Sequence, residues 1–153
     1  MRILWVKAGG LVPLDTGGKI RSYHILKGLA RRHPVTLYTY YREHPNDAHH
    51  KLDGLFARVV RRPLRIAAAR GFRDCANYVR LFLSSYPHIM SRYYRAEIAA
   101  EVRELARSGK YDVIVCDFLV PGRVIPWDDP APKVLFAHNV EARIYRRQSE
   151  ALE

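Results

Sequence analysis

The apolar positions of this chain fall into short uninterrupted runs separated by longer stretches with helical spacing. Ile3 to Val6 is continuously apolar, and the run breaks at Gly9, Gly10, Pro13, Gly17 and Gly18. A run without polar alternation predicts a strand covered on both faces, and the glycines after it predict a loop. From Lys19 to Arg32 the spacing becomes helical. Ile20, Tyr23, Leu26 and Ala30 then share one face, Asp15 or Thr16 offers an N-cap, and Pro34 stops the helix. Val35 to Tyr41 is β-branched and aromatic, which favours a strand. Strand, glycine loop, helix and strand make one βαβ unit with parallel strands.

The remainder repeats this alternation less cleanly. The pattern predicts a short helix over Asp47–Leu55 and a short strand over Ala57–Val60. A longer helix is predicted over Leu64–Leu83, with Leu64, Ala68, Phe72, Cys75, Val79 and Phe82 near one face and Gly71 interrupting its centre. Ser91 is placed to cap a helix running to Arg107, whose stripe is Tyr94, Ile98, Val102 and Leu105, and Gly109 is placed to end it. Val113–Cys116, ending at Asp117, and Lys133–Ala137, ending at His138 and Asn139, read as two more buried strands joined by the proline-rich link Pro121–Pro132. Glu141–Leu152 reads as a final helix. Strands alternating with helices predict an α/β fold: a Rossmann-like open parallel sheet with helices on both faces. In such sheets the ligand lies outside the carboxyl ends of the strands, where the glycine loop, Asp117 and His138–Asn139 are all expected.

Composition narrows the class without choosing a function. The 153 residues are 48% hydrophobic and 27% charged, enough apolar material for one globular core. The formal net charge of +11 favours polyanionic partners: nucleic acid, anionic lipid or a diphosphate-bearing substrate. No nucleic-acid motif is visible, so nucleic acid ranks last among these. Cys75 and Cys116 belong to no CxxC or His/Cys cluster and read as reduced core residues of a cytosolic protein. The apolar start is too short for a signal peptide, and no run approaches the ~20 apolar residues of a membrane span. The expected location is cytoplasmic, with peripheral attachment at the inner membrane face left open.

Four features carry candidate chemistry. Gly17 and Gly18 directly precede a helical pattern, where free N–H groups favour a phosphate, and Lys19 and Arg21 add positive charge. Their spacing is neither GxGxxG nor a P-loop, so a plain flexible turn is the competing reading. His138 follows a strand and precedes a helix, where an imidazole can donate a hydrogen bond or take a proton. Alternatively His138 or Asn139 caps that helix and Glu141 complements its dipole. Asp117 at a strand end can bond a sugar hydroxyl or fix a neighbouring loop. Arg61, Arg62, Arg65, Arg70, Arg73 and Arg80 flank an apolar stripe, the composition either of a helix lying on an anionic membrane or of an ordinary packed helix with a charged outer face. His44, His49 and His50 read as solvated loop residues, since nothing has the spacing of a zinc motif.

Two of these segments resemble a known family. Lys7 to Tyr23, KAGGLVPLDTGGKIRSY, and Val134 to Arg147, VLFAHNVEARIYRR, are similar to the corresponding segments of retaining glycosyltransferases of family 4. The resemblance spans the chain, with a loose middle. It implies one half of a GT-B fold, in which two Rossmann-like domains face each other across a cleft. Residues 1–153 would form the N-terminal, acceptor-side domain, incomplete at its end. A separate C-terminal domain, carrying the family's paired glutamates, would grip the nucleotide and be needed for activity. By motif match, Gly17 and Gly18 would offer N–H groups to the donor diphosphate, with Lys19 and Arg21 adding charge. His138 would be the catalytic residue, bonding the transferred sugar or the leaving phosphate. Asn139, Glu141 and Asp117 would contact sugar or acceptor, Asp117 from its strand end and not by the motif. The implied substrates are a nucleotide-sugar and a glycan or lipid-linked acceptor, with no metal and no further cofactor. The rival reading is a non-catalytic basic module that binds an anionic membrane surface or another polyanion.

Overall fold

A computed structural model describes residues 1–42, 50–64, 86–137 and Glu150. Its centre is β1, Ile3–Ala8, whose first five residues are all buried. Continuous burial follows from coverage on both faces, as the unbroken apolar run requires. Alternate side chains of β1 enter two different cores. Leu4 and Val6 pack with Ile98, Val102 and Leu105, while Ile3 and Trp5 pack with Leu26, Leu37 and Leu52. The first set belongs to a helix over Ala96–Gly109 and the second to a helix over Gly17–Ala30. The described helices therefore cover opposite faces of one sheet.

The strands are β1, β2 (Val35–Tyr41), β3 (Arg58–Pro63), β4 (Val113–Asp117) and β5 (Lys133–Phe136). They lie in the order β3-β2-β1-β4-β5 and every pairing is parallel. From β1 the chain builds outward to β3 and then returns to the other side of β1 for β4 and β5. The order reverses between β1 and β4, which makes their carboxyl ends the switch point of the sheet. The described helices are α1 (Gly17–Ala30), α2 (His88–Arg92) and α3 (Ala96–Gly109), with a 3₁₀ turn over Val120–Arg123. The α/β, Rossmann-like architecture expected from the sequence is present.

Several local expectations need correction. Helix α1 begins at Gly17, so the two glycines sit in its first turn and not before it, and Thr16 is the cap. Its fully buried residues are Ser22 and Leu26, whereas Ile20 is 42% exposed. The stripe is rotated because Ser22 bonds a carboxylate from β4. Ser91 does not cap a long helix. Pro87 starts α2 one turn earlier, Tyr93 ends it, and Arg95 in an extended conformation leads into α3. Gly109 is the last residue of α3 and not its left-handed terminator; that role falls to Lys110, at φ 49°. The glycine is needed because a Cβ there would lie 2.0 Å from Cε2 of Tyr111. Strand β5 is not buried on both faces: Val134 and Leu135 are each 47% exposed, as befits an edge strand. The chain from His50 to Leu55 runs in turns beyond one helical residue. The rest of the helix expected over Asp47–Leu55, the helix over Leu64–Leu83 apart from Leu64, and the helix over Glu141–Leu152 apart from Glu150 lie outside the described residues.

Candidate functional site

Beyond the carboxyl ends of β1 and β4 lies an open hollow of about 240 Å³. Its walls are Lys7 to Gly10 at the end of β1, Thr16, Gly18 and Lys19 at the start of α1, and Phe118 and Val120 after β4. Three separate segments thus converge at the switch point, the position at which open α/β sheets bind ligands. The sequence places them there for physical reasons. Gly9, at φ +85°, turns the chain out of β1 in a conformation that favours glycine. Its N–H is bonded to the carbonyl of Tyr40 at 2.9 Å, and Thr39 donates its hydroxyl to the Gly9 carbonyl at 2.8 Å, which fixes the turn against β2. Thr16 accepts from the Lys19 N–H at 3.4 Å and so caps α1. The first N–H groups of a helix have no partner inside the helix, and here they belong to Gly17 and Gly18 beside the hollow. A Cβ at Gly17 would meet nothing within 4 Å. Across the hollow, Phe118 has φ 73°, a left-handed conformation that a non-glycine residue adopts at a penalty of about 1–2 kcal/mol.

Beneath this rim is a buried polar knot. The Asp117 side chain is fully buried and the Lys7 side chain is 8% exposed, and they form an ion pair at 3.2 Å. The indole N–H of Trp5 donates to Oδ2 of Asp117 at 2.9 Å, and the Ser22 hydroxyl donates to Oδ1 at 3.1 Å. Both carboxylate oxygens are therefore taken by β1 and α1. Asp117 ties β4 to α1 and holds Lys7, and it is not among the residues that line the hollow. Lys7 is a lining residue that was not among the candidate site residues expected from the sequence. Its position at the carboxyl end of β1 was the available signal.

The remaining candidates separate. Gly18 and Lys19 line the hollow, and Gly17 lies between the lining residues Thr16 and Gly18. Lys19 pairs with Asp15 at 2.9 Å, and that hydrogen bond holds the Asp15 carboxyl below its ordinary range. Arg21 is not a lining residue; its guanidinium lies over the Phe136 ring at 5.3 Å. His138, Asn139 and Glu141 lie outside the described residues, as does Cys75. Cys116 is a free buried thiol whose pKa burial pushes up to about 12, which leaves it inert. Among the described residues no three metal-ligating side chains gather, and no helix is long and apolar enough to cross a membrane. The hollow can accept a compact anion through helix N–H groups, the Thr16 hydroxyl and Lys19.

No protein-family model matches the chain, and no curated protein sequence matches it. Solved structures do. The C-terminal domain of the PF1911 hydrogenase from Pyrococcus furiosus, in a crystal structure of its residues 78–226, is 17% identical at a TM-score of 0.52, covering 88% of this chain and 89% of that one. A second structure of that domain, residues 83–215, is 18% identical at 0.54 with the same coverage. At this level the likeness shows a shared α/β fold alone.

Proposed function

We propose that the chain forms the acceptor-side Rossmann-like domain of a retaining glycosyltransferase and that the hollow takes the diphosphate of a nucleotide-sugar donor. The observation that carries this reading is the placement of the capped N-terminus of α1, with Gly17 and Gly18 at its open N–H groups, at the switch point of a parallel sheet. The resemblance of the Lys7–Tyr23 and Val134–Arg147 segments supplies the sugar chemistry. In this reading a second Rossmann-like domain forms the other wall of the cleft. Loss of a nucleoside diphosphate builds negative charge on its oxygens, and fixed N–H donors with Lys7 and Lys19 nearby stabilise it. His138, carried over by motif match, bonds the transferred sugar or the leaving phosphate.

The test is an amide-resolved NMR titration of the ¹⁵N-labelled chain with pyrophosphate and a panel of nucleotide diphosphate sugars. Saturable shifts at the Gly17, Gly18 and Lys19 amides are expected. Amides that stay unmoved at millimolar ligand would overturn the reading. The net charge of +11 favours the second reading, attachment to an anionic surface. Sedimentation with phosphatidylserine vesicles at low and raised salt distinguishes the two, because a diphosphate hollow does not require the vesicle.

A further inference from the structure

Arg123, at the end of the 3₁₀ turn, is held in a way no role above uses. Its guanidinium carbon lies 4.3 Å from the ring centroid of Tyr94 and 4.6 Å from that of Tyr86. Its Nη1 donates to the Ser91 hydroxyl at 2.9 Å. Among the described residues no carboxylate pairs with it. Aromatic rings are attracted to the flat faces of a guanidinium, which leaves its edge, with the N–H donors, for hydrogen bonding. That edge carries five donors, and Ser91 takes one of them. The residue is half-buried, and none of its nitrogens is among the buried polar atoms left without a hydrogen bond. The side chain is thus held and oriented, and among the described residues no acid meets its edge.

A structural staple would need only the two ring contacts. Among the described residues Arg61, Arg62 and Arg103 each meet an aspartate or glutamate, while Arg95 donates Nη1 to the carbonyls of Arg92 and Tyr94. Arg123 combines two ring contacts with an edge that no acid meets among the described residues. We propose that Arg123, clamped by Tyr86, Tyr94 and Ser91, is a receptor for a planar or tetrahedral oxyanion group, a carboxylate or a phosphate, borne by a small-molecule ligand. Immobilising the side chain in advance removes the ordering penalty that a free arginine meets on binding. The fork then takes two oxygens at once, which a lysine ammonium cannot reproduce. The site does not depend on the diphosphate hollow. Val120 lines that hollow and Arg123 follows one 3₁₀ turn later, so the two sites share a supporting element while using different residues.

The experiment follows the arginine Nε–Hε resonances of the full chain during titration with inorganic phosphate, with acetate, and with chloride at matched ionic strength. The Arg123 resonance is expected to shift saturably with phosphate or acetate and not with chloride; the stronger of the two assigns the ligand group. Arg123→Lys is expected to weaken the binding at least about tenfold, read by the anion-dependent rise in melting temperature. Gly18→Ala, which alters the hollow, is expected to leave the Arg123 shift unchanged, so failure of the diphosphate reading does not imitate failure of this one. Shifts that track ionic strength alone, or an anion-dependent melting rise that survives in Arg123→Lys, would overturn the proposal. If Arg123→Lys fails to fold, Ser91→Ala decides: it frees Nη1 and alters the anion midpoint if the edge is the receptor, and leaves the midpoint in place if it is not.

Discussion

The two faces of the sheet each carry a polar cluster that joins strands to a helix, and the two differ mainly in burial. On the α1 face, Lys7 and Asp117 pair with side chains 8% and 0% exposed. On the α3 face, Glu101 takes hydrogen bonds from Nε of Arg62 at 2.8 and 2.9 Å and from the Tyr38 hydroxyl at 2.7 Å, with the Arg62 and Glu101 side chains 46% and 35% exposed. Water screens the second cluster, and pairs of that kind contribute about 0–1 kcal/mol. The first is dry, so each charge depends on the other, and removal of one leaves the other stranded. The dry cluster also underlies the hollow. Charge on the α1 face therefore holds the rim together before any ligand arrives, whereas charge on the α3 face trims the outside of a core already formed.

The largest effect should come from breaking the dry pair. Asp117→Ala leaves the Lys7 ammonium buried, with the Ser22 hydroxyl, 3.5 Å away, as its remaining side-chain partner among the described residues, and a loss of about 3–5 kcal/mol is expected in urea unfolding. The double change of Lys7→Met with Asp117→Leu should recover most of that, because it removes the charge problem. A loss below about 1 kcal/mol for Asp117→Ala would mean that the pair is not desolvated as described. Second comes the end of α3. In Gly109→Ala the new methyl must displace the Tyr111 ring, whose hydroxyl donates to Thr36 at 3.0 Å, and about 1–3 kcal/mol should be lost despite the better helix former. An unchanged urea midpoint would show that the ring moves aside freely.

Third is the screened cluster, through pH. Hydrogen bonds from Arg62, and then from Tyr38, hold the Glu101 carboxyl below its ordinary value. A depressed folded value means that the unfolded chain takes up the proton first as pH falls. The contribution of Glu101 is therefore fully present above its ordinary range of about 4.3 and is lost as pH falls through the lower folded value. Exposure limits it to about 1 kcal/mol or less. Comparison of urea midpoints between neutral pH and about pH 3 should show a smaller acid loss in Glu101→Gln than in the parent. Equal losses would remove Glu101 from the account.

The same contrast explains what was legible in the sequence. Continuous apolar runs located β1 and β4, since burial on both faces leaves no polar alternation, and the glycine loop marked the rim. What could not be read was set by partners far along the chain. Ser22 turned the buried stripe of α1 because Asp117, 95 residues away, accepts its hydroxyl. Lys7 follows the apolar run Ile3–Val6 and is nonetheless a buried cation, because Asp117 pairs with it. Gly109 carried the usual mark of a left-handed terminator, yet the tight space belongs to Tyr111, a clash that helical spacing does not encode. The exposure of β5 depends on its place at the sheet edge, which strand order decides and local pattern does not. At the candidate site the legible part was Gly17, Gly18 and Lys19; Lys7, Phe118 and Val120 became visible only once β1 and β4 were seen to be neighbours.

The smallest expected effect on stability is the sharpest test of the hollow. Gly17 and Gly18 both lie in α1 and neither has a positive φ, so alanine is compatible with the backbone at either position. At Gly17 the added methyl enters open space, and the helix gains a better former. Melting temperature should stay level or rise slightly, with a change within about 0.5 kcal/mol. Gly18 is the lining residue, so Gly18→Ala puts its methyl where an anion must approach the N–H groups. Pyrophosphate binding, followed at the Lys19 amide, should weaken in Gly18→Ala and persist in Gly17→Ala while both proteins stay folded. If the two variants bind pyrophosphate equally well, these glycines serve the helix start alone and the open N-terminus of α1 is not a ligand site.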